Sequence, residues 1–80
     1  MVYMTRHTLD ARYLLCPLPV IRTQNKMKEL SMGDLLVVTC TDPGAINDIP
    51  TWCRINGHKI IHTATIDQEI TITIKASQNY

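Results

Sequence analysis

Apolar and polar residues alternate strictly near the end of this chain. Every second residue is isoleucine, at Ile70, Ile72 and Ile74, and the residues that follow each of them are threonine or lysine. Successive side chains of a strand point to opposite faces, so the pattern predicts a strand with one buried face and one face in water. The segment from Lys59 to Ile66 is predicted to pair with it as a hairpin. Helices can then cover one side of the sheet only.

Turn residues divide the rest of the chain into short elements. They fall at Gly33-Asp34, Asp42-Pro43-Gly44, Asn56-Gly57 and Asp67-Gln68. A short strand is predicted from His7 to Asp10. A helix is predicted from Pro17 or Pro19 to about Ser31, with Val20, Met27 and Leu30 on its apolar stripe.

A second strand and a second helix follow. Leu35 to Thr41 is apolar on both parities, which predicts a strand inside the sheet. Asp42 and Pro43 suit the N-cap and the first helical position of a helix. Because Pro50 lies within the apolar pattern, that helix is predicted either to be kinked or to begin near Asp48. Gly57 suits the left-handed position after its end.

The order of elements is strand, helix, strand, helix, strand, strand. Since the last strand has one apolar face, both helices are predicted on the same side of one sheet. The sequence therefore predicts an α+β two-layer sandwich with four strands, as a single domain over residues 1–80.

Composition narrows the classes of function. A chain of 80 residues buries only about 60–65% of its unfolded surface, so no deep internal active site is expected. A net charge of +1 argues against nucleic-acid binding by bulk charge, and no direct DNA binding is expected. The chain has no apolar run long enough to span a bilayer, and residues 1–10 lack the apolar core of a signal peptide, so a cytoplasmic location is expected.

The segment Cys16-Pro17-Leu18-Pro19 carries the chemistry. It places a thiol beside the predicted start of the first helix, where unpaired N–H groups favour an anion. The prolines leave few donors there, chiefly Leu18 and Cys16 itself, so a moderately activated thiol is predicted. If the helix begins at Pro19, the thiol lies further from the helix end. A buried structural cysteine is the alternative that these residues alone leave open.

Several motifs together resemble the TusA/SirA family of small sulfur-carrier proteins, over nearly the whole chain. They are Leu9-Asp10-Ala11-Arg12, Cys16-Pro17-Leu18-Pro19, Gly33-Asp34, Asp42-Pro43, Asp48-Ile49-Pro50, Trp52-Cys53 and Gly57-His58.

The resemblance implies a mixed four-stranded sheet with two helices on one face, and a sulfurtransferase that acts as a persulfide carrier. Cys16 would accept sulfane sulfur from a cysteine desulfurase or another donor protein and pass it to an acceptor protein, with tRNA thiolation as one destination. No cofactor is expected beyond the transient persulfide. The residues expected to support the site are Pro17, Leu18, Pro19, Arg12 and Asp10.

Two positions depart from the family pattern. Tyr13 stands where many members have glycine, and Leu18 stands where members that serve tRNA thiolation often have glutamate. Leu18 makes the rim of the site more apolar, which indicates a different docking partner or a different branch of the family.

The remaining reactive side chains receive other roles. Cys40 and Cys53 are predicted to be core residues. His58 and His62 lie four residues apart. On a strand this spacing is about 13 Å, which is too far for the two side chains to share one zinc ion, and no metal site is expected.

Basic side chains could surround the thiol and favour its anionic form; they are Arg12, Arg22, Lys26 and Arg54. Arg12 is the one expected near Cys16, and Asp10 is expected to orient this segment.

A second class of function stays open at this point. The same fold could serve as a binding or regulatory module that contacts a protein or an RNA without sulfur chemistry.

Overall fold

Four strands and two helices follow one another in the predicted order in the computed structural model, which describes residues 5–77. The predicted domain limits at residues 1 and 80 lie outside the described residues, as does part of the segment from 1 to 10. The elements are β1 (Arg6–Ala11), α1 (Leu18–Met27), β2 (Leu35–Cys40), α2 (Ala45–Ile55), β3 (Lys59–Ile66) and β4 (Glu69–Lys75).

The strands form one mixed sheet in the order β1-β2-β4-β3. β1 and β2 are parallel, with Leu9 opposite Val38, and α1 makes the crossover between them. β4 is antiparallel to both β2 and β3. The interior position predicted for the second strand is confirmed, and with it the α+β sandwich.

One face of the sheet holds the core. In β4 the three isoleucines are buried and the residues between them are half-buried, as the alternation predicts. The core also takes Leu36 and Val38 from β2, Met27 from α1 and Ile49 from α2. Burying a side chain of this size contributes about 1.5–3 kcal/mol, and this contribution holds both helices on the sheet.

The first helix differs from its prediction at both ends. It begins at Leu18, between the two proposed starts, and it ends at Met27 instead of near Ser31. The amide of Leu30 donates to the carbonyl of Met27 at 3.2 Å, so the last turn is tightened to the three-residue spacing and is no longer α-helical.

The second helix begins at Ala45, two residues after the predicted Pro43 and before Asp48. A turn precedes it, in which the Asp42 carboxylate accepts a hydrogen bond from the amide of Gly44 at 3.2 Å. Pro50 lies inside the helix. Burial of Ala45, Ile49 and Cys53 along one face offsets the cost of the proline, which is about 3 kcal/mol in a helix interior.

Over residues 5–77, neither helix has the length and apolar character needed to cross a membrane.

Candidate functional site

The site lies where β1 and β2 end. Because these strands are parallel, their carboxyl ends meet at one edge of the sheet, and the two loops that follow them lie side by side. The loop after β1 carries Cys16, and the loop after β2 carries Asp42 and leads into α2. The topology thus brings together two motifs that are 26 residues apart in the chain.

Tyr13 makes the turn that directs the first loop toward the second. Its φ of 66° lies in the left-handed region, which a side chain with a Cβ occupies at a cost and glycine does not. Its amide donates to the Thr41 hydroxyl at 2.9 Å, and this bond joins the two loops. The position at which the sequence departs from the family's glycine is therefore one where the backbone conformation favours glycine.

Cys16 is exposed and makes two hydrogen bonds, both to carboxylates. Its amide donates to Asp42 Oδ2 at 2.8 Å. Its thiol donates to Asp48 Oδ2 at 3.2 Å. The peptide bond from Cys16 to Pro17 is cis.

These carboxylates raise the pKa of the Cys16 thiol. The hydrogen bond to Asp48 is the largest cause, followed by partial desolvation and by the negative charges of Asp48 and Asp42. A thiol that donates to a carboxylate is stabilised in its neutral form, and a thiolate in the same place is repelled. The predicted moderate activation of this thiol is wrong for the isolated chain.

The helix end does not supply the expected stabilisation because the two predicted donors bond elsewhere. The Leu18 amide donates to the Leu15 carbonyl at 2.8 Å, and the Cys16 amide is taken by Asp42. Pro17 stands at the N-cap of α1 and Pro19 in its first turn, and neither has an N–H.

Acidic groups, not basic ones, contact the thiol. Among the hydrogen bonds and ion pairs of residues 5–77, none joins Cys16 to Arg12, Arg22, Lys26 or Arg54. Arg12 instead pairs with Asp10 at 3.0 Å and with Glu69 at 3.4 Å. The expectation of basic residues around the thiol is therefore corrected.

Asp10 and Arg12 form a unit beside the site. The Asp10 carboxylate accepts hydrogen bonds from the Arg12 amide and side chain, which lower the pKa of Asp10. The same contacts, with Glu69, raise the pKa of Arg12. These contacts tie Asp10 to Arg12 where β1 ends. The orienting role expected for Asp10 requires a contact of this kind.

Cys40 and Cys53 are fully buried, which confirms their prediction as core residues. Burial raises the pKa of Cys53 to about 12. Burial, and then the charge of Asp42, also raises the pKa of Cys40. Both thiols stay protonated at neutral pH and are out of reach of solutes.

His58 and His62 differ in burial. His58 is buried, stacks on Trp52 with ring centroids 5.5 Å apart, and accepts a hydrogen bond from the Ser77 amide. Burial lowers its pKa. His62 is exposed on β3. Within residues 5–77 no three His, Cys, Asp or Glu side chains are grouped to hold a metal ion.

The rim of the site is apolar and open. Tyr13 is 81% exposed, Leu15 73% and Leu18 42%. Tyr13 also lines a shallow depression, together with Thr41, with Asp67 and Gln68 of the β3–β4 turn, and with Glu69 at the start of β4. Exposed apolar side chains that lie together are typical of surfaces where another protein docks. The apolar rim that Leu18 predicts is present.

Sequence reasoning singled out the thiol but did not place Asp42 or Asp48 beside it; Asp42 was predicted to be the N-cap of the second helix, a position that Gly44 holds in the structure. The signal was available, because both belong to motifs quoted for the family resemblance. What the sequence lacked was the fold that brings these motifs to Cys16.

The family model for sulfurtransferase TusA matches residues 7–76. The chain belongs to the TusA family. The sulfur carrier protein TusA of Pseudomonas paraeruginosa is 45% identical over 53 residues, which cover 66% of this chain and 67% of that protein. The YrkI protein of Bacillus subtilis is also 45% identical over 53 residues, or 66% of this chain and 71% of its own.

Solved structures agree with the sequence matches. The crystal structure of a SirA-like protein from Desulfitobacterium hafniense superposes with a TM-score of 0.78 and 25% identity, over 90% of this chain and 99% of that one. The predicted TusA/SirA resemblance is confirmed, and membership in the TusA family makes sulfur transfer the activity to be explained.

Proposed function

We propose that this chain carries sulfane sulfur as a persulfide on Cys16, taking it from a donor protein and passing it to an acceptor protein. One observation carries the proposal. Of the three cysteines, Cys16 is the exposed one, and it stands in the C-P-x-P motif of a TusA-family chain. A carrier needs a thiol that two different proteins can reach in turn.

Loading exchanges one bond between sulfur atoms for another. The Cys16 thiolate attacks the terminal sulfur of a protonated donor persulfide, for example that of a cysteine desulfurase. A new S–S bond forms on Cys16, the donor's S–S bond breaks, and the donor cysteine leaves as a thiolate that takes up the proton Cys16 has lost. The oxidation state of the pair is conserved, so no external oxidant or reductant is required.

Discharge is the same kind of exchange, but with Cys16 as the leaving group. An acceptor thiolate attacks the terminal sulfur of the Cys16 persulfide, and Cys16 leaves. Both steps need an approach along the S–S axis from solvent, which the exposed position of Cys16 allows. The open site suits docking of a protein better than enclosure of a small molecule.

The neighbouring residues keep the thiol in place for this exchange. Pro17 and Pro19 restrict the backbone on the far side of Cys16, and Leu18 projects from between them with 42% of its surface exposed. The Asp10–Arg12 unit holds the near side. These residues position the thiol and shape the docking surface, and they take no part in bond making.

Thiolated tRNA is one end product that the family resemblance suggests. The two carboxylates at Cys16 repel phosphates, so sulfur would reach RNA through an acceptor protein and not by direct contact. Mixing the loaded protein with tRNA alone should therefore transfer no sulfur, whereas adding the acceptor should.

The test of carriage is sulfur loading of the purified chain. Incubation with a cysteine desulfurase and cysteine that carries labelled sulfur should add the mass of one sulfur atom to the wild type, and this addition should be reversed by reductant. Cys16→Ser should remain unlabelled, while Cys53→Ser, a matched loss of one thiol from the core, should still load. An intact mass that stays unchanged with several different persulfide donors would exclude the function.

A further inference from the structure

The two carboxylates at the thiol form a compact anionic pair. A Cβ placed on Gly44 would lie 3.7 Å from an Asp42 oxygen and 3.8 Å from an Asp48 oxygen, so both groups converge over one point of the chain. Each also holds part of Cys16, its amide or its thiol. The pair is therefore fixed relative to the reacting sulfur.

The basic residue of the loop that carries Cys16 is already engaged. Arg12 is held by Asp10 and Glu69. Within residues 5–77, the hydrogen bond to the Asp48 carboxylate comes from the neutral Cys16 thiol, and those to the Asp42 carboxylate come from the backbone amides of Cys16 and Gly44. The negative charge at the thiol is thus not offset by an ion pair among those described for this part of the chain.

Sulfur exchange adds to that charge. Thiolate attack spreads one negative charge over three sulfurs in line, and the attacking one lies beside Asp48. A cation next to the incoming sulfur would offset the repulsion, whereas an anion there would add to it. The geometry therefore discriminates between partners by charge.

We propose that Asp42 and Asp48 make Cys16 selective for exchange partners that carry a lysine or arginine beside their reactive cysteine. This inference rests on the proposed function and specifies the partner surface that the function needs. The partner's cation binds the carboxylate pair, its apolar side chains cover Leu15 and Leu18, and its cysteine meets Cys16 between the two contacts. Docking and activation of the thiol then occur together.

Small disulfides of different charge test this selectivity without any partner protein. The probes are cystamine, which is cationic, 2-hydroxyethyl disulfide, which is neutral, and dithiodiglycolate, which is anionic. In each case the Cys16 thiolate attacks one sulfur, the S–S bond breaks, and a small thiolate leaves. The rate of mixed-disulfide formation is followed by intact mass at low ionic strength. The ratio of the rates with two probes is then divided by the same ratio measured for a short cysteine peptide, which corrects for the intrinsic reactivity of the probes.

The wild type should prefer cystamine over dithiodiglycolate by about 10- to 100-fold relative to the peptide. Asp48→Asn should reduce this ratio several-fold, and Asp48→Lys should move it below that of the peptide. Glu29→Gln, which removes the same charge in the turn after α1, should leave it unchanged. Adding 1 M salt should abolish most of the preference, because it shortens the Debye length to about 3 Å.

An equal ratio in the wild type and in Asp48→Asn would overturn the proposal, provided that circular dichroism shows both variants folded. Asp48→Asn is the deciding variant because Asp42 also accepts two backbone hydrogen bonds. The experiment uses no sulfur donor, so a chain that shows charge selection but never loads sulfur would refute the proposed function alone. A chain that loads sulfur without charge selection would refute this inference alone.

Discussion

The thiol of Cys16, in the loop before α1, donates a hydrogen bond to the carboxylate of Asp48, in α2, with Sγ and Oδ2 3.2 Å apart. The two residues are 32 positions apart in sequence. The bond holds the thiol in its neutral form, so the resting carrier is a weak nucleophile. In the proposed carrier, this bond would protect the thiol from unrelated electrophiles between loading and discharge.

Replacing Asp48 should make this thiol more reactive. In Asp48→Asn the amide cannot repel the thiolate, so the pKa of Cys16 should fall and alkylation by iodoacetamide near pH 7 should speed up by about three- to tenfold. The rate plotted against pH should reach half its plateau at a lower pH than in the wild type. Glu29→Gln, which removes one negative charge after α1, is the matched control and should follow the wild-type curve. Superimposable curves for Asp48→Asn and the wild type would contradict the assigned role of the hydrogen bond.

The three cysteines should react in a fixed order. Cys16 is exposed, whereas Cys40 and Cys53 are fully buried, so an alkylating reagent at neutral pH should modify Cys16 alone in the folded chain. The other two should react only after denaturant is added. Peptide mass spectrometry after timed quenching measures each site. Equal rates at all three sites in native buffer would show that the burial is wrong.

Tyr13→Gly should stabilise the protein. The left-handed backbone at Tyr13 costs a residue with a Cβ about 1–2 kcal/mol, and the exposed ring returns only a weak contact with Arg12, whose Cζ lies 6.0 Å from the ring centroid. After the entropy cost of glycine, the free energy of unfolding should rise by about 0.5–1 kcal/mol in urea titration.

Two controls separate backbone from side-chain effects at this turn. Tyr13→Ala keeps the Cβ and loses the ring, so it should be no more stable than the wild type. Asp67 also has a positive φ, of 57°, but aspartate tolerates this region better, so Asp67→Gly should gain less. A loss of stability in Tyr13→Gly would mean that the ring makes contacts of greater value than the backbone strain.

Stability should fall in acid through Asp34. Its pKa is lowered by the hydrogen bond from the Ser31 amide, and then by those from the Thr5 amide and His7. The folded state therefore favours the carboxylate. This contribution is complete above the ordinary value of 3.8 and is lost as the pH falls through the lowered value.

The comparison that isolates this effect is wild type against Asp34→Ala. Urea midpoints measured from neutral pH down to about pH 2.5 should start far apart and converge in acid, since protonation removes from the wild type what the variant already lacks. A gap that stays constant over this range would show that the stabilisation does not depend on the charge of Asp34.

The order and type of the elements could be predicted because each rests on a local pattern. The alternation through Ile70, Ile72 and Ile74 is visible within one strand, and it alone determines that the helices share one face. Helix ends were harder. Pro50 indicated either a kinked helix or a start near Asp48. The helix begins at Ala45, because burial along a whole face outweighs one missing hydrogen bond.

The state of the thiol could not be predicted in the same way. Within the local segment, Cys16 stands beside a helix start, which favours an anion. The deciding groups, Asp42 and Asp48, come from a different loop and a different helix, and they reach the thiol only once β1 and β2 are paired in parallel. The family resemblance pointed to Cys16 but did not reveal the direction in which its pKa is shifted.

The burial of Cys40 and Cys53 leaves Cys16 as the exposed thiol of the three. Under the proposed function, one molecule would hold its sulfur at this position and would have no second thiol where a further sulfur could wait. Each sulfur delivered would then require one complete round of docking to a donor and docking to an acceptor. The flux through such a carrier would scale with the number of chains and with how quickly they leave their partners.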